Sequence, residues 1–400
     1  MAGPRKVRSR RARVVRIAVL TLAGLLLAGL ATAGLAYWKL NGNLKSVDID
    51  GQLGSARPPA STDGSFNLLV LGSDSRAGDN RNLAGGASGG TARSDTAMVV
   101  HVSQDHARAA VVSVPRDTLV ARPACTGPDG KTVPAARGVM YNSAFEVGGP
   151  ACAVATAEQL TGMRMDHFVE IDFAGFAGLI DALGGVDVTT TVPIDDQDSG
   201  LHLSAGAHHL GGAEALAFVR TRHGVGDGSD LGRIELQKQM IRSIMTRVGS
   251  LGLTSNPTRF WPVADRLTRS ITTDSDLASV SSLVGLASTL RGIGPQQLTM
   301  VTLPVATAPG DPNRVVERNP DAARLWAALR TDQAVPQAVV TAQPSNPAQA
   351  AGSPSGRPSP GPSAGPAGAA ASRTPTAAPT ATGAVARTPG ATETGGRGAE

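Results

Sequence analysis

No acidic residue occurs in the first 45 positions, which hold nine basic ones. Taking those nine from the net charge of +5 leaves −4 for residues 46–400, so the basic balance belongs to the N-terminus and does not mark a nucleic-acid-binding domain. Aromatic residues make up only 3% of the chain, and lysine is rare beside arginine, at 5 against 32. With 48 Gly and 27 Pro this is a compositional bias without chemical content. Cysteine is limited to Cys125 and Cys152, and the seven histidines are scattered, with His208-His209 expected in a loop. A nucleophilic cysteine or a histidine metal cluster therefore has no support. The two cysteines can close a disulfide if they lie outside the cytoplasm, and otherwise read as two buried thiols. Apolar residues still reach 41% of 400, enough for one large domain or two ordinary ones.

What is present begins with a run of 22 uncharged residues, Ile17 to Trp38. At about 1.5 Å per helical residue it reaches across a hydrocarbon core of about 30 Å. Arg5, Lys6, Arg8, Arg10, Arg11, Arg13 and Arg16 precede it, which predicts a cytoplasmic N-terminus and an exported remainder. A cleaved signal peptide is the rival, but its apolar region is about 7–15 residues and ends at small residues. This run is longer and ends in Tyr37-Trp38.

The expected organisation is a basic cytoplasmic tail (1–16), a transmembrane helix (17–38), a stalk (39–65), an extracellular domain (66–332) and a Pro/Ala/Gly/Ser/Thr-rich tail (333–400). The last 60 residues of that tail are expected to be disordered, because they cannot bury enough apolar surface to offset ordering. Within the domain, strands are predicted at 66–72, 97–102, 109–114, 167–173 and 186–192, and helices at 151–162, 175–185 and 230–248. Apolar elements continue at 277–290, 298–305 and 321–329. Alternation of strands and helices argues for an α/β or α+β layered domain.

Three clusters pair arginine with aspartate at strand ends: Asp74 and Arg76 in GSDSR, Arg93 and Asp95 in RSDT, and Arg116 and Asp117 in SVPRD. Any one of them could be a surface ion pair. Three at adjacent strand termini suggest a shared site. Arg220 and Arg222 in FVRTR would face one side if that stretch is extended. On the helix 230–248, Ile234, Met240, Ile241, Ile244, Met245 and Val248 share a face, and Asp230, Arg233 and Gln237 fall on that face near its start. Arginine forks suit phosphate oxygens. Aspartates suit a hard divalent cation, Mg²⁺ or Mn²⁺, shared with substrate phosphates.

In order and spacing, GSDSR, RSDT, SVPRD, DHFVEIDFAGF, DALGGVDV, FVRTR and DLGR-x-x-x-Q resemble the LytR–CpsA–Psr family in its actinobacterial type, over about 66–250 and into the rest of the domain. The resemblance implies an α/β fold with a central mixed sheet flanked by helices. It implies an enzyme that moves a glycopolymer from a polyprenyl-pyrophosphate carrier to a peptidoglycan hydroxyl as a phosphodiester, with membrane lipid as a further partner. By position, Asp74 and Asp95 are the metal-associated acids, and Arg93, Arg222, Arg233 and Gln237 hold the pyrophosphate. Asp95, Arg116 and Arg220 take the catalytic roles, and apolar side chains of the central helices hold the lipid tail. Two departures stand out. Met140-Tyr141-Asn142 replaces a common Lys-Ile-Asn, and Leu236 stands where an arginine often precedes the glutamine.

The rival functions are a pyrophosphatase on the same lipids and a non-catalytic envelope regulator. Gly86-Ala87-Ser88-Gly89-Gly90 fits G-x-S-x-G but lacks a preceding strand. Asp195, Asp196 and Asp198 read as a solvated turn, because no glutamate closes a calcium loop.

Overall fold

The computed structural model describes residues 10–55, 57–73, 94–127, 130–222, 230–252 and 256–342. Asp74, Arg76, Arg93, the Gly86–Gly90 run and the expected disordered tail lie outside the described residues, as does the side chain of Asp230.

The chain opens with a 34-residue helix, α1 (Arg10–Asn43), whose side chains between Arg13 and Leu35 are exposed. Among the described residues it is the one helix long and apolar enough to cross a membrane, a single-pass anchor. The segment expected to be a stalk packs on the domain instead. β1 (Lys45–Val47) is the edge strand of the main sheet, and α2 (Ile49–Leu53) puts Ile49 into the core. A polar stretch with one buried isoleucine carries too little apolar periodicity to be recognised as folded.

β2 (Phe66–Ser73), β3 (Ser94–Val102) and β4 (Ala109–Val114) form an antiparallel meander. β5 (Leu119–Arg122) pairs with β8 (Ala136–Met140), and between them β6 (Cys125–Thr126) pairs with β7 (Thr132–Val133). α3 (Tyr141–Thr161) follows, broken at Gly149-Pro150 and stopped by Gly162 at φ 66°, the left-handed conformation that ends helices. β9 (His167–Asp172) then lies parallel to β2. α4 (Phe173–Ala182) is capped by Asp172, which accepts from the Gly175 amide.

β10 (Val186–Thr190) pairs with β13 (Gly206–Leu210), and β11 (Ile194–Asp196) with β12 (Leu201–Leu203). His208 and His209 therefore lie on a strand, not in a loop. α5 (Gly212–Arg220), α6 (Asp230–Ser250) and α7 (Pro257–Ser270) precede β14 (Ile271–Asp274) and α8 (Val280–Leu290). β15 (Leu298–Thr302) completes the main sheet, and β16 (Val305–Ala308) with β17 (Asp311–Glu317) makes a hairpin beyond it. α9 (Asp321–Arg330) and α10 (Gln337–Thr341) close the domain. Val339 is buried in the core, so the fold runs past residue 332.

The seven-stranded sheet has the order β1-β14-β9-β2-β3-β4-β15. Three parallel pairs (β1 with β14, β2 with β9, β4 with β15) and three antiparallel ones (β14 with β9, β2 with β3, β3 with β4) make the sheet mixed, as expected. The period-two alternation of strands separates its faces. Leu69, Leu71, Val99 and Val112 pack under α3 and α9, whereas Val70, Met98 and Val111 pack toward Ile241 of α6. A further core, holding Leu183, Phe218, Leu236 and Met240, joins α4, α5 and α6 to β10 and β13. Cys125 and Cys152 are joined in a disulfide with Cα atoms 5.5 Å apart.

Candidate active site

Asp95 was placed before its strand, but β3 begins at Ser94, so the carboxylate projects from the strand itself. The extra pairing follows a register shift between Gly72 and Ser73 on β2. A Cβ on Gly72 would come to 3.1 Å from the Thr96 Cβ, so any larger residue would push the Thr96 side chain back by a few tenths of an ångström. Arg116, just after β4, reaches across the strand ends and donates from Nη1 to Asp95 Oδ1 at 2.9 Å. Its Nε lies 3.5 Å from Asp117, which is itself 3.7 Å from Arg314.

The other arginines come from the helical layer. Arg220 and Arg222 do not share an extended segment. Arg220 ends α5, and Arg222 lies just beyond, its amide fixed by Asp196 Oδ2 at 2.8 Å. The Ala-Glu-Ala-Leu-Ala run that precedes them favours helix, and this overrides the two-residue spacing. The Arg220 guanidinium sits 4.9 Å from the centroid of the Phe173 ring, a cation–π contact that holds it over the first turn of α4. Arg233 is 3% exposed on α6 and donates from Nη2 to the Asp95 carbonyl at 2.9 Å. One turn later Gln237 donates to Thr96 Oγ1 at 2.9 Å and to the Val219 carbonyl at 3.3 Å. On the expected apolar face of α6, Ile234 and Met240 are buried, Ile241, Ile244 and Met245 half-buried, and Val248 exposed.

Asp95, Arg220, Arg222, Arg233 and Gln237 line one cavity of about 230 Å³. Arg116 touches the same carboxylate. The six described positions named from sequence thus converge, while Asp74 and Arg93 fall outside the described residues. Burial alone would push the Asp95 carboxyl up. The charges of Arg233, Arg116 and Arg222, with the Arg116 hydrogen bond, outweigh it and hold the group below its ordinary range.

Three polar residues were not foreseen. Asp196, taken for part of a solvated turn, is 1% exposed and accepts from the amides of Asp198, Ser199 and Arg222. This Asx turn aims Asp198 and Ser199 into the cavity. The Asp-x-Asp-Ser spacing was the one signal available.

A second cavity, of about 140 Å³, adjoins the first and shares Thr96, Phe173, Val219 and Gln237 with it. Val70, Met98, Phe176, Leu216, Met240 and Ile244 make it apolar. A cavity lined by arginines and aspartates thus opens beside an apolar one, with Gln237 and Phe173 at their junction.

The family model described as the LytR_cpsA_psr family matches residues 36–331. The chain belongs to the LytR–CpsA–Psr family. Among relatives of this family, the probable cell wall biosynthesis protein LcpB of Corynebacterium glutamicum is 33% identical over 245 residues, covering 60% of this chain and 55% of LcpB. A polyisoprenyl-teichoic acid–peptidoglycan teichoic acid transferase, TagU of Bacillus cereus, is 31% identical over 184 residues, 46% of this chain and 53% of TagU. The chain thus spans about half the length of these relatives. Among solved structures, a LytR-Csp2A-Psr enzyme from Actinomyces oris superposes with a TM-score of 0.52 at 25% identity, covering 71% of this chain and 95% of that one.

Proposed function

We propose that the chain is a phosphotransferase that moves a glycopolymer from a polyprenyl-pyrophosphate carrier to a peptidoglycan hydroxyl, on the outer side of the membrane that holds α1. The observation that carries this reading is the juxtaposed pair of cavities. A polyprenyl pyrophosphate is an anion joined to a long apolar chain, and the two cavities offer arginines for one part and aliphatic side chains for the other. The teichoic acid transferase activity in the name of TagU supports the same class of reaction. The basic run before α1 and the Cys125–Cys152 disulfide support an outer, oxidising location for the domain.

In the reaction, an acceptor hydroxyl oxygen attacks the glycan-side phosphorus. The bond from that phosphorus to the bridging oxygen breaks, polyprenyl phosphate leaves with that oxygen, and the hydroxyl proton passes to water or to the departing phosphate. Arg220, Arg222 and Arg233 are positioned to bind the phosphate oxygens and to stabilise the charge that grows on them. Asp95, held ionised by its arginines, suits a charge partner or metal ligand better than a proton acceptor. Mg²⁺ or Mn²⁺ fits this donor set, because such an ion takes one or two carboxylates when substrate phosphates supply other oxygens. Asp95 and Asp74 would hold it. Bound there, it would neutralise phosphate charge.

The test uses the full chain in detergent with a polyprenyl-pyrophosphate glycan and isolated peptidoglycan. Polyprenyl phosphate release is expected to require both acceptor and Mg²⁺, to stop on chelation, and to yield a glycan–peptidoglycan phosphodiester. Release that proceeds equally well without acceptor would instead establish the pyrophosphatase. A second outcome concerns the apolar cavity. Ile244→Asp is expected to raise the KM for the lipid-linked donor by about tenfold or more, because a carboxylate there must be desolvated beside the tail. A donor with a carrier of one or two isoprene units checks this, since its KM should hardly change.

A further inference from the structure

α8 presents a mismatch between composition and burial. From Val280 to Leu290 it carries no charged residue and six apolar ones, yet none of its residues is buried, and Val284 is 55% exposed. α9 has nearly the same length and three charged residues, but buries Ala322, Leu325, Trp326 and Leu329. Leu290 packs against Val102 and Ile293, but the rest of this apolar helix stays at least partly exposed, a surface that water disfavours, and what lies next to it indicates what covers it.

What lies next to it is the outer end of α1. The Val280 amide donates to Asn41 Oδ1 at 2.8 Å, and the Tyr37 hydroxyl lies beside Asn41 and Ser281. Tyr37 and Trp38 end the apolar span, and both are exposed, as interfacial aromatics are. Asn41 is three residues further, about 4.5 Å along a helix. The first turn of α8 is therefore held at the level where α1 leaves the hydrocarbon.

α7 is fixed to the same turns. Asn43 Nδ2 donates to Asp265 at 3.2 Å and to Thr268 at 3.1 Å. Lys39 lies 3.4 Å from Asp265 and 5.4 Å from the Trp261 ring centroid. As α1 is followed back toward the apolar span, its partners move from Thr268 to Trp261, so α7 points its N-terminal end at the bilayer. That end carries Arg259 and Phe260, both exposed, the latter by 42%. Arginine beside aromatic and aliphatic side chains is the composition of a surface that rests among phospholipid headgroups.

We propose that α7 and α8 form a membrane-resting face, with the apolar side chains of α8 and Phe260 seated at the boundary between headgroups and acyl chains of the bilayer that α1 spans. The proposal rests on α1 as the anchor. It fixes the height and tilt of the domain through contacts other than the anchor alone. It also gives the apolar cavity a short connection to the lipid. α4 contributes Phe173 and Phe176 to that cavity and packs on α7, with Gly175 against Ser270 and Gly178 against Arg266.

The test reconstitutes the full chain into phosphatidylglycerol–phosphatidylcholine vesicles. An environment-sensitive fluorophore is attached through Val284→Cys, through Trp38→Cys as the interfacial reference, or through Asn313→Cys. Asn313 lies on the hairpin beyond β15, the sheet edge opposite β1, about 30 Å away at strand spacing. The oxidised Cys125–Cys152 pair does not react. Lipid-borne spin-label quenchers are expected to quench the position-284 probe at least threefold more than the position-313 probe, approaching the reference. Quenching at 284 no greater than at 313 would overturn the proposal. So would a 284 probe that is shielded equally in detergent and in vesicles and loses that shielding on dilution, because a second copy of the chain would then be the occupant. Flotation with the vesicles separates these results from failure of the anchor itself, in which case the 38 probe would be unquenched too.

Discussion

Arg220→Ala is expected to lower the rate of glycopolymer transfer by about 100- to 1,000-fold, the effect of removing one preorganised donor from a charge-developing site. Arg220 is half-buried at the end of α5, with its guanidinium over the Phe173 ring. The loss should appear in kcat and far exceed what the change in melting temperature accounts for. Arg220→Lys restores the charge but not the planar fork or its stacking on Phe173, and should recover only part of the rate. Turnover within about threefold of the parent in both variants would remove Arg220 from the chemistry. Arg233→Ala gives a less clean test. That guanidinium also holds the Asp95 carbonyl from a 3%-exposed position, so its removal should cost stability as well as rate.

The site was legible in sequence to the extent that each arginine and aspartate sits in a local motif. RSDT, SVPRD, FVRTR and DLGR-x-x-x-Q each carry their residue types at fixed spacing, and the fold brings Asp95, Arg220, Arg222, Arg233 and Gln237 to one cavity and Arg116 onto the Asp95 carboxylate. The geometry within FVRTR was not legible, because a two-residue spacing was weighed above helix-forming residues upstream. Asp196 was not legible either. Its burial depends on amides from its own turn and from Arg222, 26 positions away, and composition does not record that closure. The Leu236 departure becomes intelligible from the fold. Leu236 is fully buried among Leu183, Phe218 and Met240, on the side of α6 that faces the helical core, whereas Arg233 and Gln237 face the cavity. An arginine at 236 would need a different neighbourhood. The segment from 45 to 57 was misjudged for a related reason. It is held by hydrogen bonds and by ion pairs, the Arg57–Glu158 pair the most buried of them, more than by an apolar stripe.

That ion pair carries the other large effect. Arg57 and Glu158 have side chains only 3% and 4% exposed and meet at 2.6 Å. Glu158 Oε1 also accepts from the Met165 amide at 2.9 Å, and Arg57 donates to the Met165 carbonyl at 2.7 Å. The guanidinium bonds Asp50 on α2 as well, so one buried arginine ties the chain leaving the anchor to α3 and to the start of β9. Glu158→Leu leaves that guanidinium with the exposed Asp50 as its remaining carboxylate and is expected to cost about 3 kcal/mol of unfolding free energy, the low end for breaking a buried pair. The double variant Arg57→Leu, Glu158→Leu removes both charges and should recover much of the loss, because a well-packed apolar pair avoids the desolvation of two ions. Denaturant titration of the full chain in detergent measures both. A single substitution costing less than about 1 kcal/mol, the range of surface ion pairs, would show that the pair stays hydrated. A double variant as unstable as the sum of its singles would show that the two groups act independently, and the staple would then have to reside in the Met165 hydrogen bonds alone.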